Sequence, residues 1–136
     1  MFYVALCFVE AEGTLLLLLR AIHTSLGGLW GPPSGRINQG EDPLTAMRRE
    51  LREETGYHIG DRDIGLLEYI RKIWVGHSRM PDSIFYLYRL VLPQKFPVVI
   101  DRSEHDDFLW VDRGTDFSGV DTVPDLEEII KLVYSS

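Results

Sequence analysis

At 136 residues and 15.6 kDa, with 45% hydrophobic, 11% aromatic and 26% charged residues, the chain has the size and composition of one globular domain spanning residues 1–136, not of a disordered, collagen-like or disulfide-framework protein. Twenty-one acidic side chains against fourteen Lys and Arg give a formal charge of -7 with no basic stripe, which argues against duplex nucleic acid as a bulk partner. Small phosphorylated ligands stay open, because a divalent cation reverses the sign of a local acidic site.

Residues 2–9 form an apolar, β-branched and aromatic run, and Glu12-Gly13 separates it from residues 14–22, which predicts two strands joined by a turn. Cys7 is the single cysteine, lies inside the first run, and reads as a small core residue in a reducing compartment. The run 15–19 is far short of the roughly 20 residues that span a bilayer. No basic segment precedes the apolar N-terminus, and Glu10 and Glu12 soon follow, so a cytoplasmic protein without a membrane partner is expected.

Residues 27–40 hold five glycines and two prolines, a density that breaks regular structure and makes a long shaped loop. Residues 41–55 read as a helix, with Asp42 as cap, Pro43 at the first helical position, Gly56 as the left-handed stop and Leu44, Met47 and Leu51 as its apolar stripe. Residues 64–75 and 83–92 read as strands joined by a turn-rich stretch, 76–82, and 108–111 as a further short strand. Residues 121–134 predict a closing amphipathic helix, with Pro124 near its start and Leu126, Ile129, Ile130 and Val133 at helical spacing. No repeat or linker interrupts this order, which points to one mixed α/β layer structure.

On the helix 41–55, Glu50, Glu53 and Glu54 share one face at 100° per residue. Like charges at such spacing repel by roughly 0.2–0.5 kcal/mol per pair. Two readings follow. Arg48, Arg49 and Arg52 are interleaved with them, as on a solvated charged face; alternatively, the three carboxylates converge on a hard cation such as Mg²⁺, Mn²⁺ or Ca²⁺. Mg²⁺ shares its coordination with substrate phosphates, so a carboxylate helix beside a glycine-rich loop suggests phosphate chemistry.

Gly35, Glu41, Arg49, Glu50, Leu51, Glu53, Glu54, Gly56 and Tyr57 resemble the Nudix hydrolase signature, G-x5-E-x7-R-E-U-x-E-E-x-G-U, at every spacing over residues 35–57. The stretch from Trp30 to Gly35 is similar to the family's usual entry into this box. Tyr57 stands where an aliphatic residue is usual, and Ser34 where the first glycine of a pair is usual. The resemblance implies a compact αβα sandwich, α/β in class with a mixed sheet. It implies hydrolysis of a phosphoanhydride in a nucleoside diphosphate linked to another moiety, assisted by Mg²⁺ or, as a substitute, Mn²⁺. By position, Glu50, Glu53 and Glu54 would be the metal-binding and catalytic carboxylates, joined by the Ser34 carbonyl. Arg49 and Glu41 would support them from behind.

Outside the box, Arg20 matches a basic position that family members use on the substrate, and Glu104 a carboxylate that completes the metal site or acts as base, with Asp106 and Asp107 as competitors. Trp74 falls where dinucleoside polyphosphate hydrolases carry a tyrosine, and is expected to touch substrate. Trp30, Tyr86 and Trp110 are further stacking candidates, and His77 could close over the substrate. A nucleoside triphosphate or dinucleoside polyphosphate is favoured over a sugar nucleotide. A non-catalytic nucleotide- or protein-binding module is the alternative, an isomerase of allylic diphosphates a third reading. The oligomeric state is open, a homodimer included.

Overall fold

In a computed structural model the chain is described over residues 1–60, 63–77, 80–117 and 119–134, as backbone alone for 77, 80 and 81. The first two strands, β1 (Phe2–Ala11) and β2 (Thr14–Arg20), form the expected hairpin. Its turn places Glu12 and Gly13 at φ 53° and 76°, the left-handed pair that a two-residue hairpin with right-twisted strands demands. Within the glycine-rich stretch lie two short strands, β3 (Trp30–Gly31) and β4 (Ser34–Arg36). Helix α1 (Pro43–Thr55) follows. The Asp42 side chain accepts the Thr45 N–H, and Gly56 closes the helix at φ 78°, donating its own N–H to the Arg52 carbonyl.

The remaining strands are β5 (Leu67–His77), entered through a short 3₁₀ turn over Ile64–Leu66, β6 (Met80–Leu92) and β7 (His105–Asp112); helix α2 (Leu126–Tyr134) ends the described chain. One mixed sheet results, with path β3-β2-β1-β6-β5, β4 paired to β1 and β7 to β2. Strand β1 is the organising element. Its first half pairs antiparallel with β4, its end with β2, and its whole length parallel with β6.

Side chains alternate across this sheet, so each strand feeds two cores. Cys7, Leu16, Leu18 and Leu90 pack with Met47 and Leu51 of α1; Phe8, Leu15, Leu17 and Leu87 pack with Leu126 and Ile129 of α2. Helix, sheet and helix make the αβα sandwich. With both faces covered, the unbroken Leu15–Leu18 run has no exposed member.

Four expectations need correction. Leu44 is 39% exposed, because the buried arc of α1 runs through Ala46, Glu50, Glu54, Met47 and Leu51 and leaves Leu44 at its rim. The closing helix starts at Leu126 rather than near 121: Trp30 donates to the Asp121 carbonyl and accepts from Val123, which holds 121–123 extended, and Asp125 sits at φ 65°. Strands β5 and β6 run into the stretch expected as a turn, and β7 starts at His105, three residues early, drawn along by pairing with β2.

Candidate functional site

Glycine at position 35 lets the site form. A Cβ there would fall inside the Glu50 carboxylate, so α1 lies across β4 with an acid directly over the strand backbone. Glu50 is 9% and Glu54 8% exposed, on the arc that α1 turns towards the sheet. Ser34 donates its backbone N–H to Glu54 Oε1 at 2.8 Å. Ser34 is not among the residues with positive φ, so serine carries no backbone strain where the resemblance expects glycine.

Behind these acids, Arg49 is a hub. Its Nε and Nη2 grip Glu41 at 2.8 and 2.9 Å, its Nη1 meets Glu50 at 2.7 Å and Glu53 at 3.3 Å, and its Nη2 also reaches the Arg36 carbonyl at 3.0 Å. The forked guanidinium thus ties the loop, the helix start and two acids into one frame. Its hydrogen bonds hold the Glu41 carboxyl down to about 2. Burial instead pushes Glu50 above the usual carboxylate range, with Arg49 opposing. Burial, then the Glu50 charge, push Glu54 well above it. Two acids are therefore poised for positive charge.

The opposite wall comes from the β2–β7 pair. Between Leu19 and Arg20 the register slips, so that Arg20 faces His105 and Asp106 is skipped. Such a bulge re-aims the strand end. Arg20 Nε donates to the Ser25 carbonyl at 2.6 Å, and its charge acts on Glu54. Ala21 N–H donates to the Glu104 carbonyl at 2.9 Å, which fixes the 101–104 turn against β2. Glu50, Glu53, Glu54, Ser34, Arg20 and Glu104 all line one cavity of about 440 Å³. Asp106 and Asp107 do not line it. Among the described residues, no three His, Cys, Asp or Glu side chains are gathered closely enough to hold a metal ion. The donor set, oxygen throughout with two carboxylates disfavoured by burial, suits a hard cation.

Trp74 does not enter this cavity. The floor uses Ser83 and Phe85, whereas Trp74 pairs with Ile84, whose side chain points to the other face. There Trp74 lies across Gly76, 61% exposed. Trp30, Tyr86 and Trp110 do not line the cavity either, and Trp110 packs edge-on against Phe96. The side chain of His77 lies outside the described residues.

Among the cavity residues that escape the sequence reading are Asp101, Arg36 and Leu26. Asp101 sits in a polar turn, its carboxylate tied to Ser103, with no pattern to mark it. Arg36 occupies a variable place of the box. Leu26 lines the rim at φ 58°, a strained state for leucine. His105 follows Glu104 directly but packs beneath the cavity floor, 3% exposed, its Nδ1 without a hydrogen-bond partner and its Nε2 3.9 Å from Glu54. Burial lowers its pKa to about 4, so the ring is neutral and no cation for Glu54 at neutral pH.

The NUDIX domain model matches residues 2–115. The chain belongs to the Nudix family. It is 32% identical over 123 residues to an RNA pyrophosphohydrolase of Psychrobacter arcticus, covering 79% of this chain and 68% of that protein. Among solved structures, a MutT Nudix hydrolase from Burkholderia pseudomallei shares the fold at a TM-score of 0.79, with 16% identity and 97% of each chain covered. An Ap4A hydrolase binary complex from C. elegans matches at 0.67, with 19% identity over 98% of this chain and 93% of that one. No helix among the described residues is long and apolar enough to cross a membrane.

Proposed function

We propose that this Nudix enzyme hydrolyses a phosphoanhydride in a nucleoside diphosphate linked to another moiety, with nucleoside triphosphates and dinucleoside polyphosphates as the favoured substrates. The observation that carries the reading is the meeting of six expected residues, from β2, β4, α1 and the 101–104 turn, in one cavity. The names of the Psychrobacter and C. elegans relatives, a pyrophosphohydrolase and an Ap4A hydrolase, lend support because both attack phosphoanhydrides.

Glu50, Glu53, Glu54 and the Ser34 carbonyl would hold Mg²⁺, or Mn²⁺ in its place. The cation supplies positive charge against the phosphate oxygens and acidifies water. The chain's own groups do the rest. Arg49, itself held by Glu41, aims Glu50 and Glu53 into the cavity; Arg20, on the facing wall, takes non-bridging phosphate oxygens through its fork. Water attacks phosphorus within the cavity that the box acids and Glu104 line, Glu104 receives its proton, and the anhydride P–O bond breaks without a covalent intermediate on the protein. With the box acids given to the cation, Glu104, which lines the same cavity, serves as the base.

One observation favours the alternative, a nucleotide-binding module: among the described residues, no three acids gather around one point. Mass spectrometry of the products decides between the two. Incubation with Mg²⁺ and a panel of nucleoside triphosphates, dinucleoside polyphosphates, ADP-ribose and nucleotide sugars yields products heavier by one water if the enzyme reading holds. Intact ligands across the panel, with Mn²⁺ also tried, leave the binding module.

A further inference from the structure

Arg36 ends β4, one residue beyond Gly35 and opposite Val4 in the ladder with β1. Its guanidinium carbon stands 3.6 Å from the centre of the Phe2 ring, so the exposed side chain rests its cation on the aromatic face. Both residues line the acidic cavity. Glu50, Glu53, Glu54, Asp101 and Glu104 line it too, yet none of them forms an ion pair with Arg36 among the described residues. Arg49, behind the cavity, takes the carboxylates and binds only the backbone carbonyl of Arg36. The five N–H donors of the Arg36 fork are thus uncommitted, on a side chain already seated at a cavity mouth.

We propose that Arg36, seated on Phe2, is an anion subsite for the phosphate beyond the pair flanking the scissile anhydride. Its ligand is the third phosphate of a nucleoside triphosphate or dinucleoside polyphosphate. The inference rests on the hydrolase reading and deepens it. Arg20 reaches the cavity from the β2–β7 side and Arg36 from the β1–β4 side, and the α1 carboxylates line it with them. A chain of two phosphates meets the carboxylate wall and one cation; a chain of three reaches both. Stacking on Phe2 restrains the side chain, and the guanidinium fork can donate to two phosphate oxygens at once.

The test compares wild type, Arg36→Ala, Arg36→Lys and Phe2→Leu on a triphosphate substrate and on ADP-ribose with Mg²⁺. For the triphosphate, Arg36→Ala raises KM roughly tenfold or more, the worth of about one charge-assisted hydrogen bond, with kcat changed by less than about threefold. KM for ADP-ribose stays within about twofold by the same measure. Arg36→Lys keeps part of the preference, and Phe2→Leu loses part of it while Arg36 is retained. Calorimetric titration with methylene-bridged nucleoside tri- and diphosphates reads the same discrimination without turnover. An inactive wild type would sink the hydrolase reading, while the titration would still judge the subsite. Equal losses for both phosphate counts, a loss that follows the nucleobase, no loss, or no binding of the triphosphate analogue by the wild type overturns the proposal.

Discussion

The carboxylate of Glu50 occupies the place where a side chain on Gly35 would begin. Helix α1 can therefore approach β4 closely enough for Arg49 to hold Glu50 at 2.7 Å. Gly35→Ala should turn Glu50 out of the cavity. Because misplacing a reacting group by about 1 Å costs on the order of 100-fold in rate, turnover should fall by about that factor, while overpacking lowers stability by only about 1–3 kcal/mol. Steady-state kinetics and thermal unfolding on the same preparation check this. Unchanged turnover would mean that Glu50 is not placed by its contact with residue 35.

Glu54 should cost the metal-free protein stability. Its folded pKa is raised, so the penalty is absent below the ordinary value of 4.5 and appears as pH rises through the folded value. At mildly alkaline pH without metal, Glu54→Gln should melt higher than wild type by several degrees, at about 2–4 °C per kcal/mol for a chain of this size. The amide oxygen can still accept the Ser34 N–H. Added Mg²⁺ should raise the wild-type melting temperature and leave the variant nearly unmoved, because a cation that binds only the folded state stabilises it by mass action. A variant melting below wild type in chelator would refute the uncompensated charge.

Legibility followed range along the chain. The Glu12-Gly13 turn, the Asp42 cap, the Gly56 stop and the box acids are local, each readable from a few neighbours. The 121–123 stretch looked helical because its pairing with Trp30 bridges some ninety positions that no periodicity records. The face taken by Trp74 depends on the β5–β6 register, including the irregularity between Tyr69 and Arg71, so its position relative to the box says nothing of its direction. Arg36 was silent for the same reason: its partner, Phe2, lies at the far end of another strand.

Acid should weaken the frame behind the site. Glu41 titrates at about 2 in the folded chain against an ordinary 4.5, so its pairing with Arg49 stabilises fully above 4.5 and is lost as pH falls from there towards 2. Urea unfolding midpoints measured across this window should drop less steeply for Glu41→Gln than for wild type. Parallel curves would show that the pair contributes nothing to the fold.

A third buried acid makes a structural control. Glu10 is gripped by Arg89 at 2.9 and 3.1 Å, by Arg113 at 3.1 Å and by the Tyr134 hydroxyl at 3.0 Å, which ties α2 to β1 and β6 away from the acidic cavity. Glu10→Ala removes the buried acceptor shared by the partly exposed Arg89 and Arg113 and the Tyr134 hydroxyl and should cost about 1–3 kcal/mol, and Tyr134→Phe about 1 kcal/mol. Chemical denaturation measures both. Below the melting transition kcat/KM should stay near wild type in each, and a selective loss of activity would mean that this network reaches the site.

The most direct test is turnover of Glu54→Gln beside wild type, with saturating Mg²⁺ on whichever panel substrate is cleaved, and with circular dichroism confirming equal folding. The account predicts a loss of about a thousandfold or more, the scale on which a group that stabilises transition-state charge acts. Near-wild-type turnover in a folded Glu54→Gln protein would contradict the assignment of the α1 carboxylates as the hydrolytic centre.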